Sequence, residues 1–359
     1  MNLLTHWHRQ LGALMLIFTG AVQAQVGMTQ LQVGQMPVTL TYPTSAPVAP
    51  YAVGPFTMQV ALNAAPSAGR YPLVVMSHGS GGSAYPDHAL ASTLVRAGFI
   101  VAQPRHHGNN HLDNSLAGPA TFQRRPGEAI EVIDALAQDP QWSKRLHLDR
   151  VGVHGMSAGG VTGLALAGAQ WRMLNLVRHC DRNGLADEGF CFVGAKEPEA
   201  RAARQSSFKS ARYWPEFVLP ADLKAVHGGR TPTPAEPDPR PDPRVAAVTL
   251  MVPVAAIFSA ESLARIRIPV GLINAQDDEV LVPRFHAGHV LQHCTTCKLL
   301  ADLPNAGHFD ALWPWPPAVA REVAATQVRG GLPHPGFNPR DRVAAHQRIA
   351  EFFRHNLAP

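Results

Sequence analysis

The chain has 359 residues, of which 46% are hydrophobic and 16% charged, so it can bury a large core and is neither disordered nor fibrous. The formal net charge is +5. Its arginines are scattered among acids rather than gathered into dense basic runs, which argues against a nucleic-acid partner. No repeat of solenoid or propeller period is present. These properties predict one large domain with insertions.

The first residues have the features of a secretory signal peptide. Arg9 precedes an apolar run from Leu11 to Phe18, and a small-x-small cleavage pattern ends at Ala24. We therefore expect residues 1–24 to be removed, leaving a mature domain over residues 25–359 that is periplasmic or secreted. The alternative is an uncleaved anchor, but the run is shorter than the ~20 residues that a bilayer crossing needs. No stable membrane insertion is expected after cleavage.

Four cysteines in an exported chain are an even number and can all pair. Cys180 and Cys191 lie in one candidate insertion, whereas Cys294 and Cys297 form a C-x-x-C. A redox cysteine needs a strand before it and a helix N-terminus beneath it. Here the order is reversed, because a helix-like stretch precedes the pair and the strand-like "KLLADL" follows it. We favour a local disulfide over redox chemistry, and ligand spacing predicts no zinc site.

Between the leader and residue 70, the chain alternates apolar and polar positions with Pro and Gly breaks, which is typical of antiparallel edge strands. From Tyr71 the pattern changes. The segments "YPLVVMS" and "GFIVAQP" are short continuous apolar runs, as expected for parallel strands buried on both faces. Between them, "DHALASTLVRAG" has helical spacing and ends on Gly98, a suitable C-cap.

Strand and helix patterns then alternate. A helix is predicted to begin at Pro126, a favourable first position, and the strand "RVGVHG" and the helix "AGGVTGLALAGA" follow. Later elements are the strand "RVAAVTLMVPVAA", a helix from Ser259 to Arg265, the strands "IPVGLINA" and "KLLADL", and a final helix from Asp341 to Asn356. This order predicts an α/β fold with a mostly parallel central sheet, antiparallel N-terminal strands and helices on both faces.

Residues 169–243 interrupt the alternation. They contain an Arg-rich helical part, the first cysteine pair and a proline-rich segment, 228–243. Proline fixes φ and lacks an N–H, so this segment is expected to be an exposed, semi-rigid stretch. Connections at the carboxyl ends of parallel strands border the ligand crevice. We therefore expect the insertion to act as a cap over a site.

The segment "VGVHGMSAGG", residues 151–160, contains the pattern G-x-S-x-G between a buried strand and a helix. This is the context of a nucleophile elbow, in which glycines permit a sharp turn that holds a serine hydroxyl above the sheet. Ser157 is therefore the predicted nucleophile. The alternative is a structural serine in a Gly-rich turn. His154, just before the turn, is expected to be a buried, hydrogen-bonded neighbour.

A serine nucleophile needs a base, and the base needs an orienting acid. The strand "PVGLINA" runs into two aspartates, of which Asp278 is preferred because it holds the fourth place of a G-x-x-D turn in which Ala275 replaces Gly. Asp277 stays open as the alternative acid or as a cap of the turn, and Glu279 is expected to be solvated. After the next strand, "AGHF" places His308 on a Gly-preceded loop, where the base should stand.

An oxyanion hole is predicted at "HGSGG", residues 78–82, because a Gly-rich loop at a strand end can aim backbone N–H groups at a developing negative charge. The expected donors are the N–H groups of Ser80 and Ala158. An ordinary strand-to-helix turn is the alternative.

Other residues are weaker candidates for the substrate pocket. His106 and His107 are expected at its rim, without a metal, and Trp315 either walls an acyl pocket or packs in the core. The full set of pocket candidates is His78, Gly79, His107, Met156, Phe309 and Trp313.

At these residues the chain resembles the dienelactone-hydrolase-like α/β-hydrolases, with platelet-activating-factor acetylhydrolases as relatives. The resemblance runs over residues 36–310 and rests on the combination of "PLVVMSHGSGG", "FQRRP", "GMSAGG", "DPRVAAV", "IPVGLINAQDDEV" and "AGHF". It implies an α/β-hydrolase fold, a triad of Ser157, Asp278 and His308, and oxyanion donors at Ser80 and Ala158. Dienelactone hydrolases proper use a cysteine nucleophile, so dienelactone is not the expected substrate.

The predicted function is an exported serine esterase that cleaves small carboxylic esters, with a preference for short acyl chains and no metal or organic cofactor. Two alternatives stay open. One is a lipase or acetylhydrolase that acts on phospholipid-like esters, and the other is a catalytically silent hydrolase fold used for binding.

Overall fold

A computed structural model describes residues 24–211, 241–312, 315–325 and 332–358. The signal-peptide prediction and most of the proline-rich segment fall outside the described residues. Ten strands are present in this part of the chain: β1 (Gln25–Val33), β2 (Met36–Thr44), β3 (Ala49–Val53), β4 (Phe56–Leu62), β5 (Tyr71–Ser77), β6 (Ile100–Pro104), β7 (Leu146–Met156), β8 (Val245–Met251), β9 (Val270–Ala275) and β10 (Cys297–Leu303).

The strands form one sheet in the order β10-β9-β8-β7-β5-β6-β2-β1-β4-β3. The pairs from β10 to β6 are all parallel. β2 then pairs antiparallel with both β6 and β1, and β3 pairs antiparallel with β4. The prediction of a mostly parallel sheet with antiparallel N-terminal strands is confirmed.

The described helices are α1 (His88–Arg96), α2 (Pro119–Gln138), α3 (Ala158–Leu166), α4 (Met173–Asn183), α5 (Glu188–Cys191), α6 (Pro198–Ala211), α7 (Ala260–Leu263), α8 (Ala287–His293), α9 (Pro317–Ala325) and α10 (Pro339–Leu357). Short 3-10 helices lie at Ser143–Arg145 and Pro283–Phe285.

The predicted start of α2 at Pro126 is wrong. The helix begins at Pro119, which takes the favourable first position, and Pro126 lies inside it. A proline inside a helix removes one backbone hydrogen bond. Phe122 and Ala129, on either side of Pro126 along the helix, are both buried in the core, so packing keeps the helix continuous across the proline.

Side chains of the central strands alternate between two apolar layers. In β5, Leu73 and Val75 pack in one layer and Val74 and Met76 in the other. Helices α2 and α3 cover the first layer, and α1 and α10 cover the second. Each such side chain contributes about 1.5–3 kcal/mol when it is fully buried. The expectation of helices on both faces is confirmed, and this core holds the carboxyl ends of β5, β7, β9 and β10 in place.

The described part of the insertion consists of α4, α5 and α6 around a small cluster that includes Val177, Phe192 and Phe208. A disulfide joins Cys180 to Cys191 within this cluster. A second disulfide joins Cys294 to Cys297 and agrees with the local pairing favoured above. Among the described helices, none is both long enough and apolar enough to cross a bilayer.

Candidate active site

Ser157 lies in the sharp turn between β7 and α3, with a left-handed φ of 53°. Its N–H donates to the carbonyl of Met251 at 3.0 Å, and its own carbonyl accepts from the N–H of Val254 at 3.0 Å. Both peptide groups of the serine are therefore tied to the end of β8. This leaves the side chain as the part of the residue that faces the site.

The glycines of G-x-S-x-G are required by close backbone approach. A Cβ on Gly155 would lie 2.1 Å from the carbonyl oxygen of Gly159, and a Cβ on Gly159 would lie 1.9 Å from that of Ser77. No side chain fits at such distances. The two glycines allow β7, α3 and the end of β5 to meet beneath Ser157.

The structure brings the three predicted triad residues together. Nε2 of His308 lies 2.9 Å from Oγ of Ser157, and its Nδ1 lies 2.7 Å from Oδ2 of Asp278. A carboxylate can only accept hydrogen bonds, so Nδ1 of His308 carries the proton. Nε2 of His308 is then free to accept the proton of the Ser157 hydroxyl. This arrangement matches the chain of nucleophile, base and acid in serine hydrolases.

Asp278, and not Asp277, is the carboxylate against His308. Its Oδ1 accepts the N–H groups of Val280 and Leu281 at 2.8 Å each, which fixes the carboxylate in a turn. Asp277 is half exposed, and its N–H donates to the carbonyl of Ala306 at 2.9 Å. The bond from Asp277 to Ala306 ties the loop that carries Asp278 to the loop that carries His308.

The loop that carries His308 is held by Asp310. One oxygen of this buried carboxylate accepts the N–H of Gly307 at 2.8 Å, and both accept the N–H of His334 at 3.1 Å. The imidazole of His308 therefore sits on a loop that is closed on itself and tied to the C-terminal region.

The predicted oxyanion loop lies directly beside Ser157. A Cβ on Gly79 would lie 2.9 Å from Sδ of Met156 and 3.5 Å from Cβ of Ser157. Ser80 follows Gly79, and its hydroxyl accepts from Nδ2 of Asn109 at 2.9 Å. Ala158 is the first residue of α3, so no carbonyl of its own helix can accept its N–H. Both predicted donors thus flank Ser157.

The remaining pocket candidates fall into two groups. Gly79 and Met156 adjoin the nucleophile, and the ring of Phe309 packs edge-on against that of His308 with centroids 4.9 Å apart. His78 is buried and turns Nδ1 to the carbonyl of Gly79, whereas His107 is one-third exposed and bonds Glu128. Trp313 lies outside the described residues, and Trp315 is partly buried. His154 is buried with Nδ1 2.8 Å from Oγ1 of Thr249, as expected.

Sequence reasoning missed a buried polar network beneath the oxyanion loop. Arg125 of α2 is fully buried and donates to the backbone carbonyls of His78 and Asn109 at 2.6 and 3.1 Å. Glu128, one turn further along α2, accepts from Nδ1 of His106 at 2.6 Å. The available signal was an Arg and a Glu three residues apart, on the helix face that the buried apolar residues also occupy.

This network shifts the titration of its members. Burial raises the pKa of Glu128, but hydrogen bonds from His106 and His107 and the charge of His106 outweigh it and bring the pKa to about 2. Burial and the charge of Arg125 lower the pKa of His106 to about 4, against the bond to Glu128. Near neutral pH, the network therefore holds a carboxylate, a guanidinium and a neutral His106.

A second buried cluster joins the insertion to the acid's loop. Asp187 lies 2.7 Å from Nε2 of His179 and 2.9 Å from Nε2 of His286, a set that resembles a metal site because the possible ligand atoms all lie within 4.8 Å of one another. However, Nδ1 of His286 accepts the N–H of Ala255 at 3.1 Å, so its Nε2 carries the proton. A metal ligand needs a lone pair at that atom. The bonds fit a clamp between protein segments better than a metal centre.

Known proteins resemble this chain in part of its sequence and in its fold. A family model for platelet-activating factor acetylhydrolase, isoform II, matches residues 42–165. Among solved structures, the chain is similar to a ferulic acid esterase from Streptomyces cinnamoneus, with 18% identity, a TM-score of 0.56, and 94% of this chain and 91% of that chain covered.

The chain has an α/β-hydrolase fold. A further similar structure is the dienelactone hydrolase from Anabaena variabilis, with 14% identity, a TM-score of 0.48, and 93% of this chain and 99% of that chain covered. A search of curated proteins gave no significant match.

The family model matches only part of the candidate site. Residues 42–165 include the oxyanion loop, Arg125 and Ser157, but neither Asp278 nor His308. The predicted resemblance to platelet-activating-factor acetylhydrolases is confirmed over these residues, while the assignment of Asp278 and His308 rests on the geometry alone.

Proposed function

We propose that this α/β-hydrolase is a serine esterase in which Ser157 attacks the carbonyl carbon of a carboxylic ester. The observation that carries the proposal is the 2.9 Å contact between Nε2 of His308 and Oγ of Ser157, with Asp278 on the other ring nitrogen. A serine placed in a turn for structural reasons alone needs no imidazole at its hydroxyl and no buried carboxylate behind it.

The residues supply each proton transfer of the reaction. His308 takes the hydroxyl proton as Oγ of Ser157 bonds the ester carbon, and the N–H groups of Ser80 and Ala158 face the negative oxygen. The imidazolium then gives its proton to the leaving alcohol as the ester C–O bond breaks. Water attacks the acyl-enzyme with His308 as base, and release of the carboxylic acid restores the serine.

The burial of the site favours substrates that are small around the ester carbonyl. Ser157 is 9% exposed, and His308 and Asp278 are each 4% exposed. The loop at Gly79 adjoins Ser157, and the ring of Phe309 packs against that of His308. We therefore propose short acyl chains as the preferred substrates.

A phospholipid-type acetylhydrolase is the second candidate. It is favoured by the family match over residues 42–165, and the same three residues would serve it. The two candidates differ in how they respond to aggregated substrate. An esterase of soluble esters follows monomer concentration, whereas an interfacial enzyme gains activity when its substrate aggregates.

The test uses wild-type protein beginning at Gln25 and the Ser157→Ala variant. We expect wild type to hydrolyse p-nitrophenyl acetate faster than a long-chain ester and to be labelled by a fluorophosphonate, with both signals lost in Ser157→Ala. Methyl ferulate and an acetylated phospholipid, assayed below and above aggregation, separate the substrate classes. Absence of labelling and turnover in wild type would instead indicate a binding protein.

Export is part of the proposal. It rests on Arg9, the apolar run and the cleavage pattern that ends at Ala24. Expression of the full chain in a bacterial host, followed by fractionation and N-terminal sequencing, tests it. A mature N-terminus at Gln25 in the periplasm or medium is the expected result, and an intact leader on cytoplasmic protein would contradict it.

A further inference from the structure

The peptide group between Gly79 and Ser80 is held by three donors on its carbonyl side. The Gly79 oxygen accepts from Nδ1 of His78 at 2.7 Å, from the N–H of Gly82 at 3.1 Å and from Nη2 of Arg125 at 3.3 Å. A trans peptide is planar, so its N–H points away from its carbonyl oxygen. Whatever fixes this carbonyl therefore fixes the direction of the Ser80 N–H.

Arg125 is the charged member of this set, and its surroundings are unusual. Its side chain is fully buried, and it also donates to the carbonyl of His78 and to the backbone and side-chain oxygens of Asn109. All of these acceptors are neutral. Among the hydrogen bonds described for Arg125, none goes to a carboxylate, because Glu128 bonds the two histidines instead. Burial lowers the pKa of Arg125 to about 9, while the charge of Glu128 opposes the shift.

A buried cation without a bonded carboxylate is costly for folding, and apolar packing at such a position is often as stable or more so. The location of the charge suggests a role in the candidate site. Its acceptors belong to the two loops that follow β5 and β6, and the first of these loops carries the predicted oxyanion donor. A hydrogen bond from a charged donor also polarises the peptide it contacts, which strengthens the N–H at the other end.

We propose that Arg125 is a positioning residue that fixes and polarises the Gly79–Ser80 peptide so that the Ser80 N–H faces the oxyanion. The inference rests on the proposed function and adds a residue to it. Arg125 acts through the peptide and does not touch the substrate. Its contribution arises as negative charge develops on the substrate oxygen, so it should appear in kcat rather than in KM.

The chain offers a matched control at the preceding position. Arg124 lies on the same helix, its side chain is half exposed, and Nε is 3.6 Å from Oε1 of Glu128. Arg124→Met removes the same charge and a side chain of the same size as Arg125→Met, but from the protein surface. A difference between the two variants therefore reports on the buried position and not on net charge.

The experiment compares wild type, Arg124→Met, Arg125→Met and Arg125→Lys with p-nitrophenyl acetate as substrate. It also measures inhibition by a trifluoromethyl ketone. In that adduct Oγ of Ser157 bonds the ketone carbon, His308 takes the proton, and the ketone oxygen becomes an oxyanion. We expect Arg125→Met to lower kcat by about 10²-fold, with KM within about threefold of wild type and the inhibition constant raised in parallel with the loss in kcat.

Arg125→Lys keeps the charge but not the fork of donors, so we expect an intermediate kcat, and it serves as the test if Arg125→Met fails to fold. The inference is overturned if the folded Arg125 variants match Arg124→Met in kcat and ketone inhibition, or if they lose only thermal stability. Failure of the proposed function has a separate signature, because wild type itself would then show neither ester turnover nor fluorophosphonate labelling.

Discussion

Asp187 accepts the backbone N–H of Val282 at 3.2 Å, and this bond joins the insertion to the loop that begins with Asp278. The same two segments touch again at Gly189, where a Cβ would lie 2.3 Å from the carbonyl oxygen of Glu279. The turn that orients Asp278 is therefore packed against the insertion from outside. Its geometry depends on residues distant in sequence from all three triad candidates.

Replacing Asp187 by Ala should disturb that turn. The change leaves the N–H groups of His286 and Val282 buried without their acceptor, which should lower the free energy of unfolding by about 3 kcal/mol. We also expect kcat for p-nitrophenyl acetate to fall about tenfold, because the acid's loop loses a fixed point. The exposed Glu199→Ala, in the same insertion, is the control for both measurements. Equal effects of the two variants would contradict the clamp.

The two aspartates after β9 should differ sharply when each is changed to Asn. In Asp278→Asn the amide can still accept the N–H groups of Val280 and Leu281, but it presents N–H rather than oxygen to His308. The imidazole is then driven to the wrong tautomer, and kcat should fall about 10⁴-fold. Asp277→Asn changes a half-exposed side chain and should stay within about threefold of wild type. A larger loss at Asp277 would refute the assignment.

Removal of the Cys180–Cys191 disulfide should loosen the insertion selectively. The bond closes a loop with a sequence separation of 11, and such a loop is worth about 3 kcal/mol. The cluster around it is small, and Asp187 lies between the two cysteines. For Cys180→Ala/Cys191→Ala we expect faster limited proteolysis within residues 173–211 and a lower kcat. Cys294→Ala/Cys297→Ala is the matched control, and equal proteolysis of both double variants would argue against the prediction.

Three buried histidines should make the fold sensitive to mild acid. Burial, assisted by neighbouring positive charge, lowers the pKa of His154 to about 3 and the pKa values of His106 and His346 to about 4. Between pH 6.5 and 4 these three side chains therefore bind protons in the unfolded chain but not in the folded chain, whereas Asp87, whose pKa burial raises to about 7, opposes the effect of one of them. Stability should fall as the pH is lowered through this window, by about 1.4 kcal/mol per pH unit for each histidine.

Urea denaturation at several pH values checks this expectation. His154→Gln should be less stable than wild type at pH 8, because the bond to Thr249 is altered, but its stability should fall less steeply below pH 6.5. His355→Gln changes an exposed histidine and should keep the wild-type slope. An unchanged slope in His154→Gln would show that this residue is already charged in the folded protein.

The sequence was most informative where a residue type suited to catalysis directly follows a predicted strand. Ser157, Asp278 and His308 each follow a strand of the parallel part of the sheet, and parallel strands bring their carboxyl ends to one edge. The sequence alone could therefore predict that these three residues meet. The glycines around Ser157 could also be interpreted from the sequence, because a sharp turn with close backbone contacts requires them.

The buried contacts of Arg125 and Asp187 could not be predicted from the sequence, for a physical reason. A charged residue is normally solvated, and the sequence predicted a helix only from Pro126 onward, so Arg125 was not expected in a buried network. Asp187 depends on His286, which comes from a different part of the chain, and no local pattern encodes that contact. The continuation of α2 through Pro126 has the same origin, since tertiary packing outweighs the local preference of proline for a first turn.

The positive φ of Ser157 lowers the stability of the fold at the residue on which the proposed activity depends. Any side chain at that backbone geometry carries a penalty of about 1–3 kcal/mol that glycine avoids. Replacement of Ser157 by glycine would remove this penalty together with the hydroxyl on which the proposed function depends. Stability and the proposed activity therefore make opposite demands on this one position.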